Sequence, residues 1–249
     1  MARRRSICVS TTTTKEAMSD LMEGKLDGRV FTAVRVILLL LCRIFFRMRI
    51  DGLNNVPRTG GVLVVSNHLH NADPVLISVA FPRPMHYMAK KELMTVPVVG
   101  KFIRFGGAFP VDRGKADRHA IQMATDRLQQ GIPVGMFPEG TRSVSRRIER
   151  ALPGAGLIAL RGNVPILPVA IVGSELLPFN GSKQMQREGE PAGGRGVTVT
   201  FGEPFTLPTK PDGKRLTSEE AINLAMAKVA EMLPESYRGI FGAPGPDPE

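Results

Sequence analysis

Three short runs in this chain carry no charge at all: residues 61–66 (GVLVVS), 132–137 (IPVGMF) and 164–172 (VPILPVAIV). Short β-branched, uncharged runs bounded by Gly and Pro read as strands buried inside a sheet. Helical patterns lie between them. One starts at Pro74 in "PVLISVAF". A second covers residues 116–130, where Ile121, Ala124, Thr125 and Leu128 share a face and Gly131 is the stop. A third, shorter one spans 155–161. Residues 106–111 (GGAFPV) are a further strand candidate, and 196–202 (GVTVTFG) alternates as a strand with one wet face does. A last helix is expected from Ser218, as its cap, to Leu233, with Ala221, Leu224, Ala225, Met226 and Val229 as its apolar stripe. Strands alternating with helices predict an α/β fold: a single domain with a mostly parallel mixed sheet flanked by helices. The 249 residues suffice for one such core and show no internal repeat.

The start of the chain is different in kind. Residues 1–28 are polar and read as a flexible tail, and no apolar core follows Arg3–Arg5 to make a secretory signal. Residues 29–49 (RVFTAVRVILLLLCRIFFRMR) are long and apolar, yet broken by Arg35 and Arg43. At a helical step Arg29, Arg35, Arg43 and Arg47 fall on one side, opposite Val30, Ala33, Val34, Ile37, Leu38, Leu40, Leu41, Ile44, Phe45 and Met48. Such a helix lies in a membrane interface, its arginines toward anionic head groups. The alternatives are an amphipathic helix packed on the protein's own core and, third, a true span. Residues 50–241 then form the folded domain, and 242–249 a disordered tail. Ten Lys/Arg against four Asp/Glu in residues 1–50 place +6 of the net +10 charge at this end. With no tryptophan and only two tyrosines, the basic end lacks the stacking platforms of a nucleic-acid surface, so a membrane is the expected partner. Cys8 and Cys42 form neither a disulfide framework nor a zinc pattern, which fits a reducing, cytoplasmic setting.

Chemistry concentrates in three loops that follow strands. Residues 66–77 (SNHLHNADPVLI) lie between a strand and a helix, where open α/β sheets bind ligands. His68 and Asp73 are five apart. On one helix they would diverge by about 140°. From a loop, Asp73 can turn back to a His68 ring N–H, leaving the other nitrogen as a base. Asp before Pro is equally the signature of a helix N-cap. His68, His70 and Asp73 could begin a metal site, but no further cluster completes one. His70 reads as a loop residue, and His86 and His119 as ordinary boundary histidines. Residues 109–114 (FPVDRG) and 137–143 (FPEGTRS) are turn chemistry as well. Parallel neighbouring strands would bring all three loops to one edge, joining a histidine base to Arg113, Arg142 and Glu139. Arginines clamp phosphate in bidentate fashion, so the expected chemistry is activation of a hydroxyl on a phosphorylated acceptor.

At these residues the chain resembles the glycerolipid acyltransferases of the 1-acylglycerol-3-phosphate acyltransferase type. Asn67, His68 and Asp73 match an Asn-His-x4-Asp motif. Phe109 to Arg113 are similar to the second motif, Phe137 to Ser143 match the Phe-Pro-Glu-Gly-Thr-Arg-Ser motif, and Val164 to Val169 match a Val-Pro-Ile-x-Pro-Val strand. Four motifs in order over about residues 50–205 are a specific signal. The resemblance implies His68 and Asp73 as a general-base dyad and no covalent acyl-enzyme. It implies a substrate-binding set of Asn67, Arg113, Glu139, Gly140, Thr141 and Arg142, with the arginines on acceptor phosphate. No metal or cofactor is expected. The co-substrate is acyl-CoA or an acyl carrier protein, and the acceptor is a lysophospholipid. The expected location is the cytoplasmic face of the cell membrane, peripheral or monotopic. Rival readings are the same fold acting on glycerol 3-phosphate, a lyso-ornithine lipid or a lysocardiolipin; a non-catalytic membrane-binding protein; and a metal-dependent hydrolase.

Overall fold

Three uncharged runs lie side by side at the centre of one sheet: β2 (Leu63–Ser66), β5 (Val134–Met136) and β6 (Ile166–Val172). The computed structural model describes residues 28–90, 108–111, 118–178, 196–210 and 213–242. The expected tails, most of the 180–196 stretch, and Asp112 to Gly114 lie outside the described residues. Every residue of β2, β5 and β6 is buried, as strands covered on both faces must be.

The other strands are β1 (Arg49–Asp51), β3 (His86–Lys90), β4 (Phe109–Val111) and β7 (Thr198–Phe201). The order across the sheet is β1-β7-β6-β2-β5-β3-β4. All pairs are parallel except β6 with β7. The fold is thus the expected α/β domain with a mostly parallel mixed sheet. The alternation in "GVTVTFG" marks β7, which buries Val199 and Phe201 and half-exposes the threonines between. β1 and β3 escape the sequence reading. β1 offers a single apolar residue, Ile50, and β3 mixes His86 and Lys90 into its run.

Three helices cover one face: α3 (Arg118–Gln129), α4 (Pro153–Gly162) and α5 (Ser218–Glu231). α3 buries the four residues assigned to its apolar face, together with Ala120. The cap of α5 is Thr217 rather than Ser218, in a capping box with Glu220. Thr217 Oγ1 accepts from the Glu220 N–H at 3.2 Å, and a Glu220 carboxylate oxygen accepts from the Thr217 N–H at 2.7 Å. Ile222 and Ala230 replace Leu224 in its buried stripe.

The opposite face carries α2 (Asp73–Ala80) and, over it, α1 (Gly28–Phe46). α1 stops three residues earlier than expected, because Arg47 turns to φ +46° and Arg49 already belongs to β1. It docks through Arg35, Cys42 and the half-buried Leu38, Leu39 and Phe46. Arg35 departs from the arginine face reserved for head groups. Its Nε donates to Phe81 O at 2.7 Å and its second nitrogen to Ala80 O at 3.0 Å. A cation on those carbonyls closes the C-terminus of α2. The far side of α1 stays open and apolar, with Ile37, Leu40, Leu41, Ile44 and Phe45 exposed, the last two by 70% and 72%. α1 therefore both packs on the body and presents an apolar face that has no partner among the described residues. Among the described residues, no helix is long and apolar enough to cross a membrane.

Candidate active site

Because β2 and β5 run parallel as neighbours, their C-terminal ends deliver residues 67–72 and 137–143 to one edge of the sheet. β4 ends at Val111, in the same direction. Arg113 follows outside the described residues.

The histidine and aspartate of the first loop meet. His68 is 7% exposed and Asp73 wholly buried. Asp73 Oδ2 stands 2.9 Å from His68 Nδ1 and accepts the backbone N–H groups of Leu69 at 2.6 Å and His70 at 2.7 Å. An oxygen taking two amide protons is acting as an acceptor, so Nδ1 is the donor, and in the neutral ring the lone pair is on Nε2. Asp73 does not cap its own helix. The residue at that position is Ala72, with no side-chain cap, and the carboxylate turns back onto the preceding loop. Pro74 still fits the first turn, where a missing N–H costs nothing.

The second loop holds the first by its backbone. Glu139 Oε1 accepts the His68 N–H at 2.8 Å, and the Ser143 N–H is donated to His68 O at 2.8 Å. Both peptide groups of the histidine are thus fixed by the Phe-Pro-Glu-Gly-Thr-Arg-Ser turn. Phe137 adds a third constraint, stacking on the imidazole with centroids 4.1 Å apart and planes at 21°. Burial pushes the Glu139 carboxyl up to about 8, against the opposing pull of the His68 N–H. Gly140 makes the turn possible. Its φ is +69°, and a Cβ there would meet Leu152 Cδ1 at 2.5 Å.

Asn67, expected in the substrate-binding set, has its side chain on the neighbouring strand. Its Nδ2 donates to Ile171 O and its Oδ1 accepts from Ile171 N, both at 2.9 Å. The amide copies a strand ladder and ties the loop to β6. Thr141 and Arg142 are half-buried beside this edge. His70 is buried, and its Nδ1 accepts from the Ala72 N–H at 3.0 Å. Burial lowers its tendency to protonate; the Asp73 charge opposes this, and the Arg142 guanidinium nearby adds to it. The hydroxyls of Ser66 and Ser143 are donated to the carbonyls of Asn67 and Arg147. Cys42 is buried on α1. Among the described residues no group of three or more His, Cys, Asp or Glu is placed to hold a metal ion.

The arrangement is an imidazole oriented through Nδ1 and backed by an aromatic ring, with Arg142 close enough to bear on the neighbouring His70. The braces that Glu139, Ser143 and Phe137 give His68 have no local sequence signal. The turn residues predict a loop, and only the neighbouring of β2 and β5 puts that loop against His68.

The sequence pattern of the family described as "Acyltransferase" matches residues 47–172. The 1-acyl-sn-glycerol-3-phosphate acyltransferase of Bacillus subtilis (strain 168) is 32% identical over 160 residues, 64% of this chain and 73% of that protein. A probable 1-acyl-sn-glycerol-3-phosphate acyltransferase of Mycoplasma genitalium is 36% identical over 135 residues, 51% of this chain and 50% of that protein. The crystal structure of the 1-acyl-sn-glycerophosphate acyltransferase PlsC from Thermotoga maritima matches with a TM-score of 0.59 at 21% identity, over 90% of this chain and 82% of that one. At that identity the likeness concerns the fold.

Proposed function

The chain belongs to the acyltransferase family that includes the 1-acyl-sn-glycerol-3-phosphate acyltransferases, and from that premise we propose how its site works. It transfers a fatty acyl group from an acyl thioester to the free hydroxyl of 1-acyl-sn-glycerol 3-phosphate, giving phosphatidic acid. The observation that carries this reading is the His68–Asp73 pair, whose geometry leaves one imidazole nitrogen basic.

His68 Nε2 takes the proton of the acceptor hydroxyl as that oxygen attacks the thioester carbonyl carbon. The tetrahedral intermediate collapses, the C–S bond breaks, and the imidazolium returns its proton to the departing thiolate. Asp73 stabilises the imidazolium between these steps. Arg142, with Arg113, holds the acceptor phosphate. Direct transfer is supported by two hydroxyls of the site loops and by the cysteine, since Ser66 and Ser143 are engaged with carbonyls and Cys42 lies on α1. The reaction needs no cofactor beyond the thioester donor, coenzyme A or acyl carrier protein.

The open apolar side of α1 supports residence on a membrane surface. The thioester donor is water-borne and the product has two acyl chains, so the cytoplasmic face meets both. The test is thiol release from palmitoyl-coenzyme A by purified protein, with and without lysophosphatidic acid. Release that requires lysophosphatidic acid is expected. Release that requires another lysolipid or glycerol 3-phosphate would move the assignment to that acceptor. Release with water alone would make the protein a thioesterase, and a thiol burst equal to the enzyme concentration before acceptor is added would show an acyl-enzyme.

A further inference from the structure

A buried polar cluster lies behind the loop that carries Arg142, and the mechanism above makes no use of it. Tyr237 is fully buried, and its hydroxyl donates to Glu175 Oε1 at 2.5 Å. Glu175 is itself buried, in the turn Ser174–Leu176 that follows β6. Arg146 is buried too and lies close enough to bear electrostatically on the Tyr237 phenol. Its backbone sits at φ +67°, a region that non-glycine residues enter only when their surroundings compel it.

The cluster ties the end of the chain to the active-site loop. Tyr237 belongs to α6 (Glu235–Arg238), which runs into the turn Gly239–Phe241. This short strap clasps the buried Ile148 from both sides. The Ile148 N–H is donated to Tyr237 O at 3.1 Å, and the Ile240 N–H to Ile148 O at 3.0 Å. Gly239 lets the two backbones approach; a Cβ there would stand 2.1 Å from Ile148 O. Residues 143–150 are in turn fixed to the site, by the Ser143 N–H on His68 O and by Arg150 Nε on Glu139 O at 3.0 Å. Arg142 stands at the start of the segment that these contacts hold.

Apolar side chains would fill such a space at no desolvation cost. A buried acid and phenol joined by a hydrogen bond instead give direction, because that bond fixes where its partner must be. We infer that Tyr237 is a positioning residue for acceptor binding: through Glu175 and Ile148, the C-terminal strap sets the place of the Arg142 loop. The inference rests on Arg142 contacting the acceptor phosphate.

The test compares Tyr237→Phe, Glu175→Gln and Arg142→Ala with wild type in the full chain. The readouts are steady-state kinetics with lysophosphatidic acid and amide hydrogen exchange. Tyr237→Phe removes only the hydroxyl. It is expected to raise the acceptor KM about tenfold, as losing one hydrogen bond to a carboxylate can. The kcat and the donor KM stay within about twofold, and exchange quickens in residues 139–150 alone. Glu175→Gln keeps an acceptor for the phenol and stays near wild type. Unchanged exchange in 139–150 would overturn the proposal. So would a uniform loss in which exchange rises across the domain and kcat and both KM values move together. If Arg142→Ala leaves the acceptor KM as it was while Tyr237→Phe loosens only that loop, the phosphate reading falls and takes the acceptor-binding role with it, while the strap's hold on the loop stands.

Discussion

Replacing Glu139 by glutamine should change how stability depends on pH. The carboxyl is 3% exposed and accepts the His68 N–H at 2.8 Å, and burial raises it from 4.5 to about 8. For an acid raised on folding, the native state holds the proton more tightly than the unfolded chain. Stability from this group is therefore full below about pH 4.5 and declines as pH rises toward 8, where the buried carboxyl at last ionises. Integrated between pH 5 and pH 8.5, the loss is at most about 4 kcal/mol. The glutamine amide still accepts the His68 N–H through its oxygen but cannot ionise. Urea unfolding of both proteins across that range isolates the term, because every other titrating group is common to them. The variant should gain on wild type as pH rises, with most of the gain between pH 5 and 8. Parallel pH profiles would show that Glu139 is not held neutral by burial.

Further substitutions probe neighbouring claims. Asn67→Ala should cost about 3 kcal/mol in urea unfolding, because it leaves the buried N–H and C=O of Ile171 without their side-chain partners; near-wild-type stability would mean that the amide's role lies with substrate. Asp73→Asn should lower kcat about a thousandfold with the fold kept, since an amide no longer dictates the tautomer of His68 or stabilises its charged form; turnover and near-ultraviolet circular dichroism check this together. Ile44→Glu with Phe45→Glu should abolish sedimentation with anionic vesicles while leaving melting unchanged, because both side chains are exposed and touch little of the core; retained binding would remove α1 from the membrane.

What could be read in the sequence follows from where each contact is encoded. β2, β5 and β6 declare themselves because burial on two faces excludes charge from the run itself. The apolar face of α3 is a local period and was legible for the same reason. Asp73 shows the limit. Asp-Pro is written identically whether the carboxylate caps the helix ahead or reaches back to His68, and only the loop path selects the second. Arg35 is similar, since a helical wheel gives its side but not that Ala80 and Phe81 end a helix beneath it. Glu139 and His68 are 71 positions apart, and Tyr237 and Glu175 are 62. Nothing in the spacing of either pair reports the meeting, which depends on which strands become neighbours.

His68, oriented by Asp73, is proposed as the base of an acyl transfer. The most direct measurement is kcat for His68→Ala with palmitoyl-coenzyme A and lysophosphatidic acid, taken beside its circular dichroism spectrum and melting temperature. A loss of about 10²–10⁴ is expected in a protein that folds and melts as wild type does. A folded variant that keeps kcat within a few-fold of wild type would contradict it.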